Sequence, residues 1–557
     1  MTVSASACAT RNVHCSQSAD EVEVGLQRDP RQQDVLALAN RTVLASQPLI
    51  QEVQDFLARL STRVKTPATT GVPVFLRALK NSHAMAKQAV QTLSSSPSQQ
   101  LSEDALRGIS RRVDCCAVDV SQAATHWEIL KRCHSLVAVN QAFQGSARAA
   151  RREEIAKMSN LTSRQKELTH RVMKQQAKVE VHVVAGGAEW VHVRTLQPDR
   201  LARQMSDGGW AWGEHQAGDV VDQDEWGDIP LARQIKRLVA ATRLNRHEYR
   251  IPRLRIVMPS IGDDNMDINV LLEQFTHLDP AVHITVEQRN GTFLQTPPPP
   301  VDDAVRNLLG DELDGLTETL NLDHSILVDL ISDITHLRLD PEPWQADTTR
   351  AQIKEETQHG GLMTKMLYPL LQGRHLVCTH EAAQHFHHVL RTVGTASEKE
   401  RGRLLVPFGQ DSLSSPLHHK DKDKDKDKED DMSSSREAVR ARFQQLSIHH
   451  IPPSVQIPVT VMPQGWTQEA IQRDFAALSL PEVAREVLNH CDFQSAKLSV
   501  FMFGWASGHV TLSSNKEIKA QFKTLVETHR RRDDDYGPSI WRVDVTRNLL
   551  AKSAYCD

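Results

Sequence analysis

The 557-residue chain has few aromatic residues and almost no net charge. Aromatic side chains make up 5% of the residues, and 66 basic residues stand against 70 acidic ones, which gives a formal charge of -4. This balance excludes a protein that holds nucleic acid by bulk electrostatic attraction, so any nucleic-acid contact has to be local. The length predicts two to four domains.

Signals for disulfides, secretion and membrane insertion are also missing. The eight cysteines include no C-x-x-C pair and give no disulfide framework, which predicts a reducing compartment. The N-terminus has no apolar h-region, so we expect no secretory signal. No window approaches the roughly 18 apolar residues of a membrane span, and no Walker-type or G-x-G-x-x-G loop implies a nucleotide cofactor. These absences predict a soluble protein of the cytoplasm or the nucleus, with no membrane partner.

Changes in residue pattern divide the chain into segments. Apolar residues at three-, four- and seven-residue spacings predict helices from Gln33 to about Lys178, and strand-helix-strand text follows. The run HHKDKDKDKDKEDD has no apolar face, which indicates a solvated insertion. The predicted divisions are a disordered tail at 1–32, a helical bundle at 33–174, an α/β unit at 175–295, a proline linker at 296–300, and a last α/β domain at 301–557 with a disordered insertion at 408–436.

Two acidic residues each follow a predicted apolar strand in the last domain. Asp323 comes directly after LNL and precedes an amphipathic segment, and Glu381 opens the helix that follows HLVCTH. Asp323 could cap its helix or could be the first ligand of a metal site. Because the carboxyl ends of parallel strands share one edge of a sheet, the two acids can converge there. Oxygen ligands of this kind suit Mg²⁺ or Mn²⁺.

The chain resembles a eukaryotic family of uncharacterised proteins in four stretches: VEVHVVAGGAEWVHV, LNLDHSILVDLIS, HLVCTHEAAQHFHHVLRTVGTASEKERGRLLV and TLSSNKEIKA. The family carries the domain of unknown function 1308, whose C-terminal region is grouped with PIN-like nuclease domains. The resemblance covers roughly residues 175–525. It implies an α/β/α domain with a central parallel sheet, in which active members use three or four carboxylates and divalent metal to cleave RNA. Asp323 matches the first acidic position, Glu381 the second, and Asn515 the asparagine of the family's Thr-x-Asn.

The sequence departs from the pattern of an active PIN domain at two places. Lys516 follows Asn515, where an active member usually has an aspartate, and the residues after Phe503-Gly504 read WASGHV, with no acid. Glu517 could reach inward or could turn to solvent. Two carboxylates are compatible with weak binding of one metal ion, whereas a two-metal mechanism is not supported.

Two further stretches leave alternatives open. In HEAAQHFHH, His380 and His385 lie about 140° apart around a helix and cannot chelate one ion together. This helix face is therefore solvated, or His385 contributes to the chemistry of Glu381. The block THRRRDDDYG, residues 528–537, either contacts phosphate through its arginines or forms an internally salt-bridged loop.

The leading prediction is an intracellular binding or scaffold module with a degenerate PIN-like domain, which binds single-stranded RNA or a protein partner. One alternative is a weak ribonuclease in which Asp323, Glu381 and a recruited third acid hold one Mg²⁺ or Mn²⁺ ion. The other is a protein–protein adaptor that uses the helical bundle. The predicted fold is α/β, with the helical bundle first, the α/β unit in the middle and the PIN-like domain last.

Overall fold

The computed structural model describes residues 30–61, 71–95, 102–158, 161–311, 313–407, 427–491 and 495–550. The chain divides into two compact units, one formed by Met1–Gln51 and Leu76–Ala124, the other by Glu52–Phe75 and Thr125–Asp557. None of the described helices combines the length and the apolar content that a membrane span needs.

The first unit contains most of three long helices, α1 (Pro30–Ser61), α2 (Val72–Ser95) and α3 (Glu103–Leu130). Its core includes Ala39, the pair Ala89 and Leu93, and the pair Ile109 and Val113. Residues four apart lie on one face of a helix, so each pair points to the same side and packs inward. This confirms the predicted helices. The predicted tail at 1–32 lies outside the described residues, except that α1 already begins at Pro30.

The second unit contains two five-stranded sheets. The first sheet has the order β1-β2-β3-β4-β5, with β1 and β3 antiparallel to β2 and the last three strands parallel. Its elements are β1 (Leu136–Gln144), α4 (Arg148–Lys157), α5 (Ser163–Gln176), β2 (Lys178–Ala185), β3 (Glu189–Val193), α6 (Pro198–Asp207), α7 (Gln223–Trp226), α8 (Pro230–Leu244), β4 (Arg253–Met258), α9 (Met266–Thr276), β5 (Ile284–Gln288) and α10 (Thr292–Gln295). The predicted β2–β3 hairpin turns at Gly186 and Gly187, both at positive φ, which glycine adopts without steric cost.

Strand β1 corrects the predicted bundle at 33–174. Residues 136–144 form an edge strand that pairs with β2, with Gln141 opposite Val181 and Gln144 opposite Lys178. The pairing is irregular near Leu136, and Asn140 has a φ of 52°. Because the partner strand comes more than thirty residues later, the helical text on both sides of β1 gave no local signal of this pairing.

The second sheet is all parallel, in the order β10-β9-β6-β7-β8, which confirms the central parallel sheet of the last domain. Its elements are α11 (Val301–Leu309), β6 (Thr319–Leu322), α12 (His324–Asp329), α13 (Asp333–His336), α14 (Asp347–His359), α15 (Leu362–Leu371), β7 (His375–Cys378), α16 (His380–Val393), α17 (Ala396–Leu405), α18 (Asp427–Gln445), β8 (Thr460–Val461), α19 (Gln468–Asp474), α20 (Glu482–His490), α21 (Ser495–Ser507), β9 (Val510–Ser513), α22 (Ile518–His529) and β10 (Ile540–Arg542).

Asn321 fixes helix α21 against the centre of this sheet. The residue is fully buried in β6, and its Nδ2 donates to the main-chain oxygen of Val500 at 2.7 Å and to Thr511 Oγ1 at 3.0 Å. A Cβ on Gly504 would lie 2.2 Å from Thr511 Oγ1, so a larger residue would push α21 away. Buried polar groups of this kind are held by hydrogen bonds, which makes the position of α21 over β6 and β9 specific.

Two predicted boundaries differ from the structure. The proline segment at 296–300 joins α10 to α11 inside one compact unit, and Arg132 Nη2 donates to the main-chain oxygen of Thr296 at 3.0 Å. It is therefore a packed connection and not a spacer between independent domains. The insertion predicted at 408–436 lies mostly outside the described residues, but its last part is helical, because α18 begins at Asp427.

A buried polar network holds the segment after β10. Asp329 Oδ1 accepts hydrogen bonds from the Arg547 backbone N–H at 2.6 Å and from Thr546 Oγ1 at 3.0 Å. Arg547 Nε in turn contacts Glu356 Oε1 at 2.7 Å. Burial raises the pKa of Asp329 to about 7, although the hydrogen bonds from Arg547 and Thr546 oppose this shift.

Asp329 should therefore make stability depend on pH near neutrality. Its folded-state pKa lies above the unfolded value, so its contribution is fully present below about pH 4 and is lost as the pH rises through about 7. The loss should be on the order of 4 kcal/mol, and Asp329→Asn should remove most of it while keeping the acceptor oxygen.

The measurement is urea unfolding at intervals between about pH 5 and pH 8. Asp340→Asn serves as the control, because Asp340 is exposed and should leave the pH profile unchanged. A profile for Asp329→Asn that parallels the wild type would contradict the assignment.

Candidate functional site

The carboxyl edge of the parallel sheet gathers the three predicted site positions. Strand β6 lies in the middle, with β7 and β8 added on one side and β9 and β10 on the other, so the strand order reverses between β6 and β9. Open α/β sheets bind ligands in the crevice at such a reversal point. Asp323 follows β6, Asn515 follows β9, and Glu381 lies just beyond β7.

Asp323 is buried and hydrogen-bonded to two serines. Its Oδ2 accepts from Ser513 Oγ at 2.6 Å and from Ser325 Oγ at 2.9 Å. His324 Nδ1 lies 2.7 Å from the other oxygen, Oδ1, but at an angle that leaves Oδ1 without a regular hydrogen bond. The side chain of Asp323 is only 2% exposed, so these contacts replace water around its charge.

The predicted capping role of Asp323 is wrong. Asp323 occupies the N-cap position of α12, but its side chain makes no hydrogen bond to the first helical turn. Its main-chain oxygen accepts from Ile326 N and Leu327 N, as at any helix start. The carboxylate is held instead by Ser513 from the neighbouring strand and by Ser325, whose hydroxyls compete successfully with the helix N–H groups.

Glu381 is buried beside the loop that follows β8. Its Oε1 accepts a hydrogen bond from the Trp466 backbone N–H at 2.6 Å, and its Oε2 has no partner among the described residues. Thr379 caps the helix, because its Oγ1 accepts from the Ala382 N–H. Glu381 therefore does not cap the helix. Its carboxylate is held by the loop after β8, the strand that neighbours β7.

Two contacts bring the Asp323 and Glu381 segments together. The parallel pairing that sets Asn321 opposite Val377 would, if continued, set Asp323 opposite Thr379, two residues before Glu381. The ring of His324 packs edge-on against His385, one helical turn after Glu381, with ring centroids 4.9 Å apart. Burial lowers the pKa of His385, and neighbouring His324 lowers it further.

On the β9 side of the edge, the predicted position Asn515 supplies no carboxylate. Asn515 Oδ1 accepts from the Glu517 N–H at 3.0 Å, so its side chain serves the turn before α22. Lys516 and Glu517 are both exposed, which settles the alternatives for Glu517 in favour of solvent. Asn515 is therefore in the predicted position, but its amide is used by the local backbone.

The residues fit a divalent cation only in part. Glu381 Oε2 lacks a hydrogen-bond partner in the described part of the chain, whereas Asp323 Oδ1 has His324 Nδ1 beside it at 2.7 Å in poor hydrogen-bond geometry. Asp323 and Glu381 would then hold Mg²⁺ or Mn²⁺, and a bound ion would polarise a phosphate oxygen. Among the described residues, however, the one group of three or more metal-ligating side chains whose ligand atoms lie within 4.8 Å of one another is elsewhere.

The residues that sequence reasoning missed are those that hold Asp323. Ser513 and Ser325 were not predicted as site residues, and His324 is the immediate neighbour of Asp323. The only sequence signal was the pair of serines before Asn515, because short hydroxyl residues at a strand end can donate to a neighbouring carboxylate. The partner of those serines lies 190 residues away along the chain, which sequence spacing alone could not reveal.

A cavity of about 730 Å³ lies beside the edge strand β10. Lys516 lines it from the turn before α22, Lys519 and Lys523 from α22, and Arg542 from β10. Lys519 and Lys523 are four residues apart and therefore share one face of the helix. Glu248, Asp314 and Asp544 also line this cavity.

Part of this charge is already neutralised. Lys519 Nζ lies 2.6 Å from Glu248 Oε1, and Arg542 Nε lies 2.7 Å from Asp544 Oδ1. Lys523 donates to a main-chain oxygen, so it keeps its charge, and Lys516 has no ion pair within the described chain. These two lysines and Asp314 leave the cavity with an excess of positive charge.

The arginine block after α22 is salt-bridged, but one of its ion pairs is internal and the others join it to other segments, so the predicted internally salt-bridged loop is correct only in part. Arg532 pairs with Asp534 at 2.6 Å, and Arg531 pairs with Glu486 at 2.7 Å. Asp535 Oδ2 accepts from the backbone N–H groups of Arg531 and Arg532, both at 2.9 Å. These contacts occupy the charges, so the block offers little attraction for phosphate.

Ser513→Ala should destabilise the protein at neutral pH. Burial pushes the pKa of Asp323 upward, but His324 and the hydrogen bonds from Ser513 and Ser325 lower it below its ordinary value. Loss of one hydrogen bond to this charged group should lower the free energy of unfolding by about 1.5–3 kcal/mol.

The deficit should shrink in acid. Because the folded-state pKa of Asp323 is depressed, its stabilisation is present above about pH 4 and is lost as the pH falls through the folded value. Urea unfolding at neutral pH and in steps toward about pH 3 measures the effect. Ser94→Ala, an exposed helical serine, is the control. Equal stability of the two variants at neutral pH would contradict the role of Ser513.

No family model matches the chain, and comparison with the curated proteins and with the solved structures also finds no match.

Proposed function

We propose that this protein is a binding module for single-stranded RNA, built on a PIN-like domain whose carboxylate cluster is degenerate and no longer hydrolyses RNA. The resemblance in the strand-helix stretches at Asp323 and Glu381 supports the PIN-like assignment, and the parallel order β10-β9-β6-β7-β8 is compatible with it. RNA as a ligand implies that the protein works in the cytoplasm or the nucleus.

The burial and hydrogen bonding of Asp323 and Glu381 are the main support for binding without hydrolysis. Asp323 is enclosed by protein donors, and Glu381 is tied to the backbone of Trp466. Both residues are buried, with exposures of 1% and 8%. A hydrolytic site needs open coordination positions for water and the scissile phosphate. Two buried carboxylates with no third carboxylate in the same group of described residues offer few open coordination positions, which favours RNA binding over RNA cleavage.

Two lysines at the cavity beside β10, Lys516 and Lys523, supply the phosphate contacts of this proposal. Both line the cavity of about 730 Å³ and form no salt bridge within the described part of the chain, whereas Lys519 is paired with Glu248. Trp541 of β10 lines the same cavity and offers an aromatic surface. Cationic grooves with aromatic side chains bind single strands without reading their sequence, because phosphate and base faces are common to all nucleotides. Although the net charge of the chain is close to zero, this cavity would provide a local positive charge for RNA.

A weak metal-dependent ribonuclease is the second candidate. The observation that favours it is the pair of buried oxygens Glu381 Oε2, which has no hydrogen-bond partner among the described residues, and Asp323 Oδ1, which has only His324 Nδ1 beside it. Magnesium often uses one or two carboxylates and takes its remaining ligands from water and substrate phosphate. Asp323 and Glu381 alone would then anchor one Mg²⁺ or Mn²⁺ ion, which would have to supply all of the electrophilic assistance.

RNA binding should depend on Lys516 and Lys523. Fluorescence anisotropy with a labelled single-stranded RNA should show binding that weakens as salt rises, because bound cations are released from the phosphates. In the double variant Lys516→Glu, Lys523→Glu, affinity should fall and the slope of log affinity against log salt should decrease by about 0.7 for each phosphate that the protein no longer neutralises.

Lys354→Glu is the matched control, because Lys354 is an exposed helical lysine in α14, outside the cavity. Its affinity and salt slope should equal those of the wild type. If wild-type protein binds no RNA, or if the control loses as much affinity as the double variant, the proposal is wrong.

The same RNA should stay intact when it is incubated with purified protein and Mn²⁺. Gel analysis of end-labelled RNA measures this directly. Cleavage that persists in Asp340→Asn but disappears in Asp323→Asn would replace the proposal with the ribonuclease alternative. Cleavage that survives in Asp323→Asn would indicate a contaminating nuclease. In that case the assay is repeated with more highly purified protein, and the proposal requires that the RNA then stays intact.

A further inference from the structure

A group of metal-ligating side chains lies on helices α20 and α22, apart from Asp323 and Glu381. It consists of Glu486, His490 and His529. The ligand atoms of the three side chains all lie within 4.8 Å of one another, and no other such group occurs in the described ranges. Glu486 and His490 are four residues apart on α20, so they share one helix face, and His529 is the last residue of α22.

A hydrogen bond to its own helix orients His490. Its Nδ1 lies 2.8 Å from the main-chain oxygen of Glu486. Because a carbonyl oxygen only accepts, Nδ1 carries the proton in this contact, and the lone pair of the neutral ring is on Nε2. Metal-binding histidines use this arrangement, in which a backbone carbonyl fixes the tautomer and leaves the other nitrogen for the ion.

The second histidine is held against the first. The rings of His490 and His529 stack with centroids 4.2 Å apart and planes inclined by 24°. Each residue ends its helix, where the free carbonyl groups give a partial negative charge that favours a cation. The side chains of Glu486 and His490 are 28% and 52% exposed, so an ion can reach them from solvent.

Arg531 forms an ion pair with this group. Its Nη2 lies 2.7 Å from Glu486 Oε1, and its own side chain is 78% exposed. The ion pair engages one carboxylate oxygen and leaves Oε2 available. An exposed surface ion pair contributes little to stability, so a metal can displace Arg531 easily.

We propose that Glu486, His490 and His529 bind one Zn²⁺ ion, with water as a fourth ligand. Two imidazole nitrogens and one carboxylate oxygen match zinc, whereas Mg²⁺ and Ca²⁺ prefer all-oxygen surroundings. Bonds of about 2.0–2.2 Å to one tetrahedral ion require ligand atoms about 3.3–3.5 Å apart. The present ligand atoms lie within 4.8 Å of one another, so the side chains need to close by up to about 1.5 Å. The bound ion would tie α20 to α22.

Zinc binding by the full-length chain tests the proposal. Protein stripped with a chelator is titrated with Zn²⁺ in competition with a chromophoric chelator. Wild-type protein should bind one Zn²⁺ at least tenfold more tightly than His529→Ala, His490→Gln or Glu486→Gln. By linkage, Zn²⁺ should also raise the melting temperature of the wild type and not that of the three variants. The three substitutions are on exposed or half-buried residues, so loss of folding in one leaves two to carry the test.

His359→Ala is the matched control. His359 is also an exposed histidine at the end of a helix, α14, but belongs to no such group in the described chain. It should bind Zn²⁺ as the wild type does. Equal affinities for the wild type and the three site variants, or a loss of the same size in His359→Ala, would overturn the proposal. Replacing Zn²⁺ by Co²⁺ tests the ligand set, because a visible d–d band of tetrahedral Co²⁺ without a thiolate charge-transfer band would support nitrogen and oxygen ligands.

Discussion

The candidate site depends on one constraint, which is that a buried carboxylate has to be surrounded by hydrogen-bond donors. Asp323 lies at the centre of the parallel sheet's carboxyl edge, beside the point where the strand order reverses, and is buried there. Its charge is stable there because Ser513 and Ser325 donate to Oδ2 and His324 lies beside Oδ1. The partners join β6, β9 and α12, so the same contacts that stabilise the charge also hold the edge of the sheet together.

The hydrogen bonds to Asp323 determine how strongly the carboxyl edge of the sheet can attract a metal ion. An acid that is satisfied by protein hydroxyls attracts a metal ion less than an acid that faces water, because the ion has to compete with hydrogen bonds already made. Asp323 and Glu381 keep some capacity for an ion, since Glu381 Oε2 has no partner within the described chain and Asp323 Oδ1 has only His324 Nδ1 beside it. The site is therefore intermediate between a metal centre and a structural polar cluster, and the balance depends on the serines.

Patterns with local causes were predictable from the sequence. The β2–β3 hairpin, the parallel strands of the last domain and the positions of Asp323 and Glu381 all follow from periodicity and turn residues within about ten positions. Strand β1 and the bonds from Ser513 to Asp323 were not predictable, because each joins segments far apart in the chain. The capping interpretation of Asp323 failed for the same reason: a local partner was expected, and a distant hydroxyl was bound.

Under the proposed function, the position after Asn515 accounts for RNA binding without hydrolysis. Where the resemblance leads one to expect an aspartate that helps to hold metal, this chain has Lys516, exposed and lining the cavity beside β10. A carboxylate contacts phosphate only through a metal ion, whereas an ammonium group contacts it directly. A lysine at this position would therefore provide a phosphate ligand in place of a metal ligand. Lys519 and Lys523 line the same cavity from α22, so Lys516 adds a third cation where an aspartate would have opposed the other two.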